Sequence, residues 1–370
     1  MSTNLRLGVM GCANIAWRSM LPALRKAEGW RLAAVASRTP DKAQRFADAF
    51  GAEAVVGYEH LLERDDIDAI YMPLPTGLHR EWVAKALGAR KHLLVEKSFA
   101  EDDSVTRELL AQAQAAGVCV IENYLFVHHA QTQAIREVIQ EGAIGDLLLL
   151  RTTFSFPPLS SDNFRYQREL GGGALLDAGG YTAMLCQEFL GKPDIQRCDA
   201  HRDHEPCQFP PGRSAEGDAE PSFRRGRLGQ GEEVRRMKSE LKVLSSWLEW
   251  DPKTGVDLAG ATTLRNSLGV VAQCYFGFHS YYQCLAEFLG TRGKLSTGRI
   301  FTAPPDLTPS LVLDRQSGRE ERTLPADNQY RNMWRHFRDC ILAGDYEPGY
   351  QAIELQADLL TRIRTYAHGG

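Results

Sequence analysis

The sequence contains no apolar run approaching the roughly 18 residues that a membrane-spanning helix needs, so no such segment is expected. It has no Cys-x-x-Cys. Its eight cysteines are scattered at positions 12, 119, 186, 198, 207, 274, 284 and 340. That scatter predicts reduced thiols in a cytoplasm and excludes a disulfide framework. Charge of one sign is also lacking: the net charge is −4, which offers no footprint to nucleic acid or to an anionic membrane. The residues from Met1 to Gly8 lead straight into a strand pattern, and no signal peptide is expected. What is present is an ordinary globular composition, 43% apolar and 24% charged over 370 residues, long enough for about two domains.

Strand and helix patterns alternate over residues 1–125. Leu5–Met10, Leu32–Ala36, Ala69–Met72, His92–Val95 and Val118–Ile121 are short runs that are apolar on both faces, as buried parallel strands are. Helical spacing separates them at Ala13–Ala27, His79–Leu87 and Asp103–Ala116. Another helix starts at Thr39-Pro40-Asp41, with a capping hydroxyl, a proline at the first position and an acid in the first turn. Strands joined by helical crossovers predict a doubly wound parallel sheet, an α/β domain. Residues 126–370 form the predicted second domain, whose character is clear after Gly142. Leu147–Phe154 reads as a long strand and Gly171–Leu190 as helical. Ala261–Asn266, Val270–Phe278, Gln283–Leu289 and Lys294–Arg299 then follow without helices between them. This predicts an α+β domain with a mostly antiparallel open sheet. The last helix, Ala352–Ala367, is expected to pack back on one of the domains. An irregular insertion is expected at about 202–248, rich in Arg, Glu, Gly and Pro. Beside it, His201-x-x-His204-x-x-Cys207 has metal-ligand residue types but no apparent fourth ligand, and no metal site is expected.

Gly8-Val-Met-Gly11-Cys12-Ala13-Asn14-Ile15-Ala16 joins the first strand to the first helix as a variant of Gly-x-Gly-x-x-Gly. Gly11 permits the tight turn, Ala13 lets backbone amides approach a pyrophosphate, and Ala16 lets helix and strand pack closely. The helix N-terminus adds free amides and a favourable dipole. At the start of a βαβ pattern this predicts dinucleotide binding. Where an NAD site usually places an acid, this chain has Ser37-Arg38-Thr39. Arg38 can fork onto a 2′-phosphate and Ser37 can hydrogen-bond it, so NADP(H) is expected over NAD.

The fifth strand ends in Glu96-Lys97-Ser98, at the edge where ligands bind open parallel sheets. In Gly171-Gly-Gly-Ala-Leu-Leu-Asp177-Ala-Gly-Gly-Tyr181, Asp177 and Tyr181 are four apart, on one side if the stretch is helical. These stretches, with Pro73-Leu74-Pro75-Thr76-Gly-Leu-His79 and Gly142-Ala-Ile-Gly145, resemble the glucose–fructose oxidoreductase / inositol dehydrogenase family in order and spacing. Tyr181 replaces the His of many members, and Ser98 replaces a common Pro. With Glu122–His129 and Asp327–Tyr330, the chain looks most like the branch of 3-ketoreductases acting on nucleotide-linked deoxysugars.

The resemblance implies a Rossmann domain followed by a substrate domain whose open sheet often forms the interface of a homo-oligomer, a dimer or tetramer. It implies that Leu74, Pro75, Thr76, His79, Glu96 and Lys97 border the cofactor. Lys97 and Tyr181 are the catalytic candidates, with the choice of proton donor left open. Asp177, Asn123, Arg165, Asn328 and Tyr330 are candidates for the substrate. Asn328-Gln329-Tyr330 would read a pyrimidine base, or else cap the helix carrying Met333, Trp334 and Phe337. His128 and His129 are adjacent and cannot both face a cleft. Tyr281-Tyr282 and Trp247/Trp250 suit sugar stacking less well than a sheet core or interface. The expected activity is NADPH-dependent reduction of a keto group, at C3, on a nucleotide-linked deoxysugar. The alternatives are a dehydrogenase of free sugars, inositols or diols, and a non-catalytic NADP-binding sensor.

Overall fold

A computed structural model of the chain describes residues 4–191 and 240–369. The first sheet holds β1 (Leu5–Met10), β2 (Trp30–Ser37), β3 (Glu53–Val56), β4 (Ala69–Met72), β5 (His92–Val95) and β6 (Val120–Glu122). They lie in the order β3-β2-β1-β4-β5-β6, and every pair is parallel. Both faces are covered, so Leu7, Val9, Ile70, Tyr71, Leu93 and Leu94 are wholly buried. The helix Asp103–Ala116 starts on Asp102, whose carboxylate accepts the amide of Val105, and stops at Gly117 in the left-handed region.

The second sheet has eight strands: β7 (Leu147–Ser155), β8 (Lys242–Trp250), β9 (Asp257–Arg265), β10 (Val271–Gly277), β11 (Gln283–Gly290), β12 (Gly293–Gly298), β13 (Ser310–Arg315) and β14 (Gly318–Thr323). Their order is β14-β13-β12-β11-β7-β10-β9-β8. All pairs are antiparallel except β7 with β10. The inner face packs on the helices Ala130–Gln140 and Gly180–Leu190 around Phe154, Phe189, Phe276 and Phe288.

Two sequence expectations change, and a third is not tested. Residues 242–248, placed in the irregular insertion, belong to β8, where Val243 and Leu248 face the core. The rest of that insertion up to residue 239, with His201, His204 and Cys207, lies outside the described residues. The last helix begins earlier, at Glu347, and runs to His368. It joins both cores, because Tyr350 and Ile353 pack on the first sheet's side while Leu359, Leu360 and Ile363 pack under the second. Among the described residues, no helix is long and apolar enough to cross a membrane.

The helix Gln329–Ala343 returns to the first sheet. Trp334, fully buried, donates its indole N–H to the Met20 carbonyl (2.9 Å), and Trp30 donates to the Trp334 carbonyl (2.9 Å). Trp30 stacks on Phe337 with ring centroids 5.4 Å apart. Replacing Trp334 by Ala removes a large buried side chain together with its hydrogen bond. The expected loss is about 3–5 kcal/mol in urea unfolding. Trp247→Ala, at a side chain 53% exposed, is expected to change stability by less than about 0.5 kcal/mol. Equal losses at the two positions would show that the returning helix is not part of the first sheet's core.

Candidate active site

A cavity of about 830 Å³ opens between the C-terminal ends of the first sheet's strands and the helical edge of the second domain. The strand order reverses between β1 and β4, where such folds leave a crevice. The turn after β1 and the Pro73–Thr76 loop after β4 line it together. Gly11 has φ +117°, and a Cβ there would stand 2.8 Å from a Leu74 methyl carbon, so loop and turn touch in a way that only glycine permits. Cys12, Ala13, Asn14 and Ile15 line the cavity at the start of the first helical segment, whose leading amides have no partner within the helix.

Lys42 and Arg45, on the helix Pro40–Phe50, line the same end. Arg45 lies 4.6 Å above the Trp17 ring. Ser37 is buried at the end of β2, where its hydroxyl accepts the Thr39 amide (3.2 Å). Arg38 is exposed beside it, near enough for its charge to act on the Tyr58 hydroxyl. Small residues, free amides and a rim of cations fit a dinucleotide carrying an extra phosphate.

The opposite wall carries the reactive groups. Lys97 follows β5, and the Lys97–Ser98 peptide is cis. Its ammonium donates to Asp177 Oδ1 (2.5 Å) and to the Asp177 carbonyl (3.1 Å). Arg165 Nε donates to Asp177 Oδ2 (2.6 Å). Asp177 therefore joins a cation of the first domain to one of the second. Burial opposes its ionisation, but the charges and hydrogen bonds of Arg165 and Lys97 outweigh burial and hold its pKa well below the carboxylate range.

Asp177 lies in a π-helical turn, Leu175–Gly179, that runs into the helix Gly180–Leu190. Asp177 and Tyr181 both face the cavity, and the Tyr181 ring centroid is 5.1 Å from Lys97 Nζ. Tyr124, Phe126, Phe154 and Phe301 surround that ring at 5.0–6.1 Å. Burial, with the charges of Glu96 and Asp177, raises the Tyr181 pKa well above that of a free phenol. From the last helix, Gln356 Nε2 donates to the Gly180 carbonyl (2.8 Å) and to the Tyr124 hydroxyl (3.1 Å), fixing the backbone just before Tyr181.

Glu96 lines the cavity floor and accepts Tyr71 Oη and Asn123 Nδ2, each at 2.7 Å. Asn123, expected near the substrate, is fully buried behind Glu96. His79, expected at the cofactor, is fully buried as well: Nδ1 meets the Ser98 and Phe99 carbonyls at 3.0 Å, and Nε2 meets the Leu74 carbonyl at 2.9 Å. It ties together the two loops that form the cavity and does not line it. Asn328 caps the helix Gln329–Ala343 by accepting the Arg331 amide, and Tyr330 packs against the first sheet's core; neither lines the cavity. Among the two histidines, His129 accepts the Gln131 amide and His128 packs on His336, both away from the cleft.

Lys42, Arg45 and the aromatic wall of Phe154, Phe156 and Phe164 were not anticipated from the sequence. The two cations carried a signal, since they stand three apart on a helix whose start was readable. The phenylalanines carried none, being ordinary core residue types.

A family model described as "Oxidoreductase family, NAD-binding Rossmann fold" matches residues 5–124. A second, the "GFO/IDH/MocA C-terminal domain", matches residues 132–296. The chain is 37% identical over 340 residues, 92% of its length and 88% of the relative's, to a dTDP-3,4-didehydro-2,6-dideoxy-alpha-D-glucose 3-reductase of Saccharopolyspora spinosa. It is 34% identical to a protein of the same name from Actinomadura kijaniata, covering 98% of this chain and 96% of that one. Among solved structures, a 3-ketoreductase from Actinomadura kijaniata in complex with NADP and TDP-benzene superposes with a TM-score of 0.83 at 33% identity, covering 98% of both chains.

Glu122 ends β6, is buried, and accepts the Phe99 amide (2.8 Å) just beyond Lys97. Burial pushes its pKa up to about 8 against the Phe99 hydrogen bond and the Lys97 charge, with Glu96 adding to the rise. A folded-state pKa above the ~4.3 of a free glutamate means that this group favours the fold most below about pH 4. That contribution is lost as pH rises through about 8. Glu122→Gln is therefore expected to gain on the wild type in Tm between pH 5 and pH 8.5. A Tm difference that stays constant across those buffers contradicts the assignment.

Proposed function

This chain belongs to the GFO/IDH/MocA oxidoreductase family, and we propose that it uses NADPH to reduce the C3 ketone of a dTDP-linked 2,6-dideoxysugar. The carrying observation is one cavity lined at one end by the Gly11–Ile15 turn, Lys42 and Arg45, and at the other by Lys97, Asp177 and Tyr181. Relatives matched over nearly the whole chain act on such a sugar by name, and the solved one binds NADP and TDP-benzene.

NADPH, when bound, supplies the hydride. The Gly11–Ile15 turn would hold its pyrophosphate, with the rim of Ser37, Arg38 and Lys42 at the 2′-phosphate, and Glu96 and Lys97 would border the nicotinamide end. Two of the three N–H donors of Lys97 are taken by Asp177, which leaves one for the substrate's carbonyl oxygen. As charge develops on that oxygen, the ammonium stabilises it. The Tyr181 phenol keeps its proton throughout the neutral range and transfers it from Oη to the nascent alkoxide. Asp177 fixes the position of the ammonium, and Arg165 fixes Asp177.

With a dTDP-linked 3-keto sugar as substrate, Tyr181→Phe and Lys97→Met are each expected to lower kcat by about 10²–10⁴ while the KM for NADPH stays near the wild-type value. Turnover of free sugars or inositols alone would make the chain a dehydrogenase of those compounds. Cofactor binding with no activity on any sugar, unchanged by both substitutions, would make it a sensor. A separate measurement concerns the cofactor: Arg38→Ala is expected to raise the KM for NADPH about tenfold and to leave that for NADH nearly unchanged. Equal effects on the two would remove Arg38 from the 2′-phosphate.

A further inference from the structure

The turn that carries Asp177 departs from a regular helix in one specific place. In an α-helix the Gly180 amide would donate to the Leu176 carbonyl, four residues back. Here it reaches the Leu175 and Ala178 carbonyls instead. The turn Leu175–Gly179 is thereby expanded by one residue, and the Leu176 carbonyl loses its ordinary donor. Leu176 is buried, so bulk water supplies no substitute, and a bare carbonyl there would destabilise the turn.

The missing donor comes from the other domain. Ser98, itself buried, donates its hydroxyl to the Leu176 carbonyl (2.9 Å). Its neighbour Lys97 donates to the next carbonyl along the turn, that of Asp177 (3.1 Å), and to the Asp177 carboxylate (2.5 Å). Two consecutive residues beyond β5 thus hold two consecutive carbonyls of the turn. Its two ends are fixed by other elements. Asp257, at the start of β9, accepts the Leu175 amide (2.5 Å). Gln356 of the last helix donates to the Gly180 carbonyl (2.8 Å), and a Cβ on Gly180 would collide with the Tyr124 hydroxyl beside it. With both ends held, the Leu176 carbonyl has two ways to be satisfied. Either the turn stays expanded with the Ser98 hydroxyl on it, or the turn closes and the Gly180 amide takes it.

We propose that Ser98 is a positioning residue for the reduction: its hydroxyl holds the expanded turn open and so keeps Asp177 against Lys97. The inference rests on the reading of Lys97 and Tyr181 as the reacting pair, and adds to it a residue that does not line the cavity. Alanine or proline at this position would have no donor to give. Without the hydroxyl, closing the turn is the route that leaves no buried carbonyl bare. Each residue of an α-helix advances about 100° around the axis, so losing the expansion rotates Asp177 relative to Tyr181 by a large part of that angle. Asp177 then leaves its place between Lys97 and Arg165, and the ammonium is no longer fixed beneath the substrate's carbonyl oxygen. The turn that holds the cofactor's pyrophosphate lies on the opposite wall and is untouched.

With NADPH and a dTDP-linked 3-keto sugar, Ser98→Ala is expected to lower kcat about 10–100-fold and to leave the KM for NADPH within about twofold of wild type. A general loss of structure would also lower kcat, but it would not couple to Asp177. In the Asp177→Asn background, Ser98→Ala is expected to lower kcat by less than about threefold further, because the group through which it acts is already gone. Ser98→Cys fills the same space with a much weaker donor and guards against collapse of the alanine variant; it is expected to lose kcat in the same direction. Wild-type kcat in Ser98→Cys, or a full further 10–100-fold loss in the Asp177→Asn background, would reduce Ser98 to a packing residue. Crystal structures of Ser98→Ala and Ser98→Cys give a readout independent of rate. The expected result in the alanine variant is the Gly180 amide on the Leu176 carbonyl and the Asp177 carboxylate away from Lys97. An expanded turn with the Lys97–Asp177 pair intact in both variants overturns the proposal, whatever the kinetics. If the wild type turns over no dTDP-linked keto sugar, the reduction itself fails, and the same structures still decide what Ser98 holds.

Discussion

One carboxylate holds the site together. Asp177 is buried between Lys97, which ends a strand of the first sheet, and Arg165, which belongs to the second domain. Neither cation alone would offset the cost of removing that carboxylate from water; two cations, each donating a hydrogen bond to one carboxylate oxygen, do. Removing one partner from such a cluster leaves a buried charge uncompensated, at a cost of about 3–5 kcal/mol. The relative placement of the two domains is thus coupled to the assembly of the reactive groups. Close backbone contact reinforces this: Gly171 has φ +71°, and a Cβ there would lie 2.7 Å from the Gly77 amide nitrogen. The glycine run that precedes Asp177 lets the second domain's loop lie directly against the loop that follows β4.

The parts that were readable from the sequence are those where local chemistry and global position coincide. The Gly11 turn follows a strand, opens a helix and lies at the reversal of strand order, so its residue types and its place agree. Glu96-Lys97 ends a central strand, and strand ends face the crevice. Asp177 and Tyr181 kept a common face even though the turn holding Asp177 is π-helical. Spacing of four sufficed because the irregular turn passes into a regular helix before Tyr181.

The parts that were not readable fail for physical reasons that differ from case to case. β14, Gly318-Arg-Glu-Glu-Arg-Thr323, has no apolar alternation because it is a solvated edge strand, held through β13 and its ion pairs. β8 emerges from a polar stretch with no turn signal before it, so its start merged with the insertion. His79, Asn123 and Asn328 have residue types suited to binding a ligand, yet each is used by the fold: His79 joins carbonyls of two loops, Asn123 holds Glu96, and Asn328 caps a helix. A polar side chain at a strand end or helix start meets unpaired backbone groups as readily as a ligand, and composition does not separate these uses.

Charge around the cavity floor explains why so many acids are compatible with a reaction that builds negative charge on oxygen. Three carboxyl groups lie within this region, but they are not equivalent. Glu122 is mostly neutral at pH 7, because burial holds its pKa near 8. Glu96 accepts the hydroxyl of Tyr71 and the amide of Asn123, which stabilise whatever charge it carries. Asp177 is firmly ionised, but it is matched by two cations, so the cluster of Lys97, Asp177 and Arg165 keeps one net positive charge where the cleft is lined. A single ammonium–carboxylate pair would be neutral and would gain little from a nascent alkoxide; the added guanidinium leaves the ammonium electrostatically available. Arg165, which touches Asp177 and lines the same cavity, is thereby the residue that lets one acid both position Lys97 and leave its charge uncancelled.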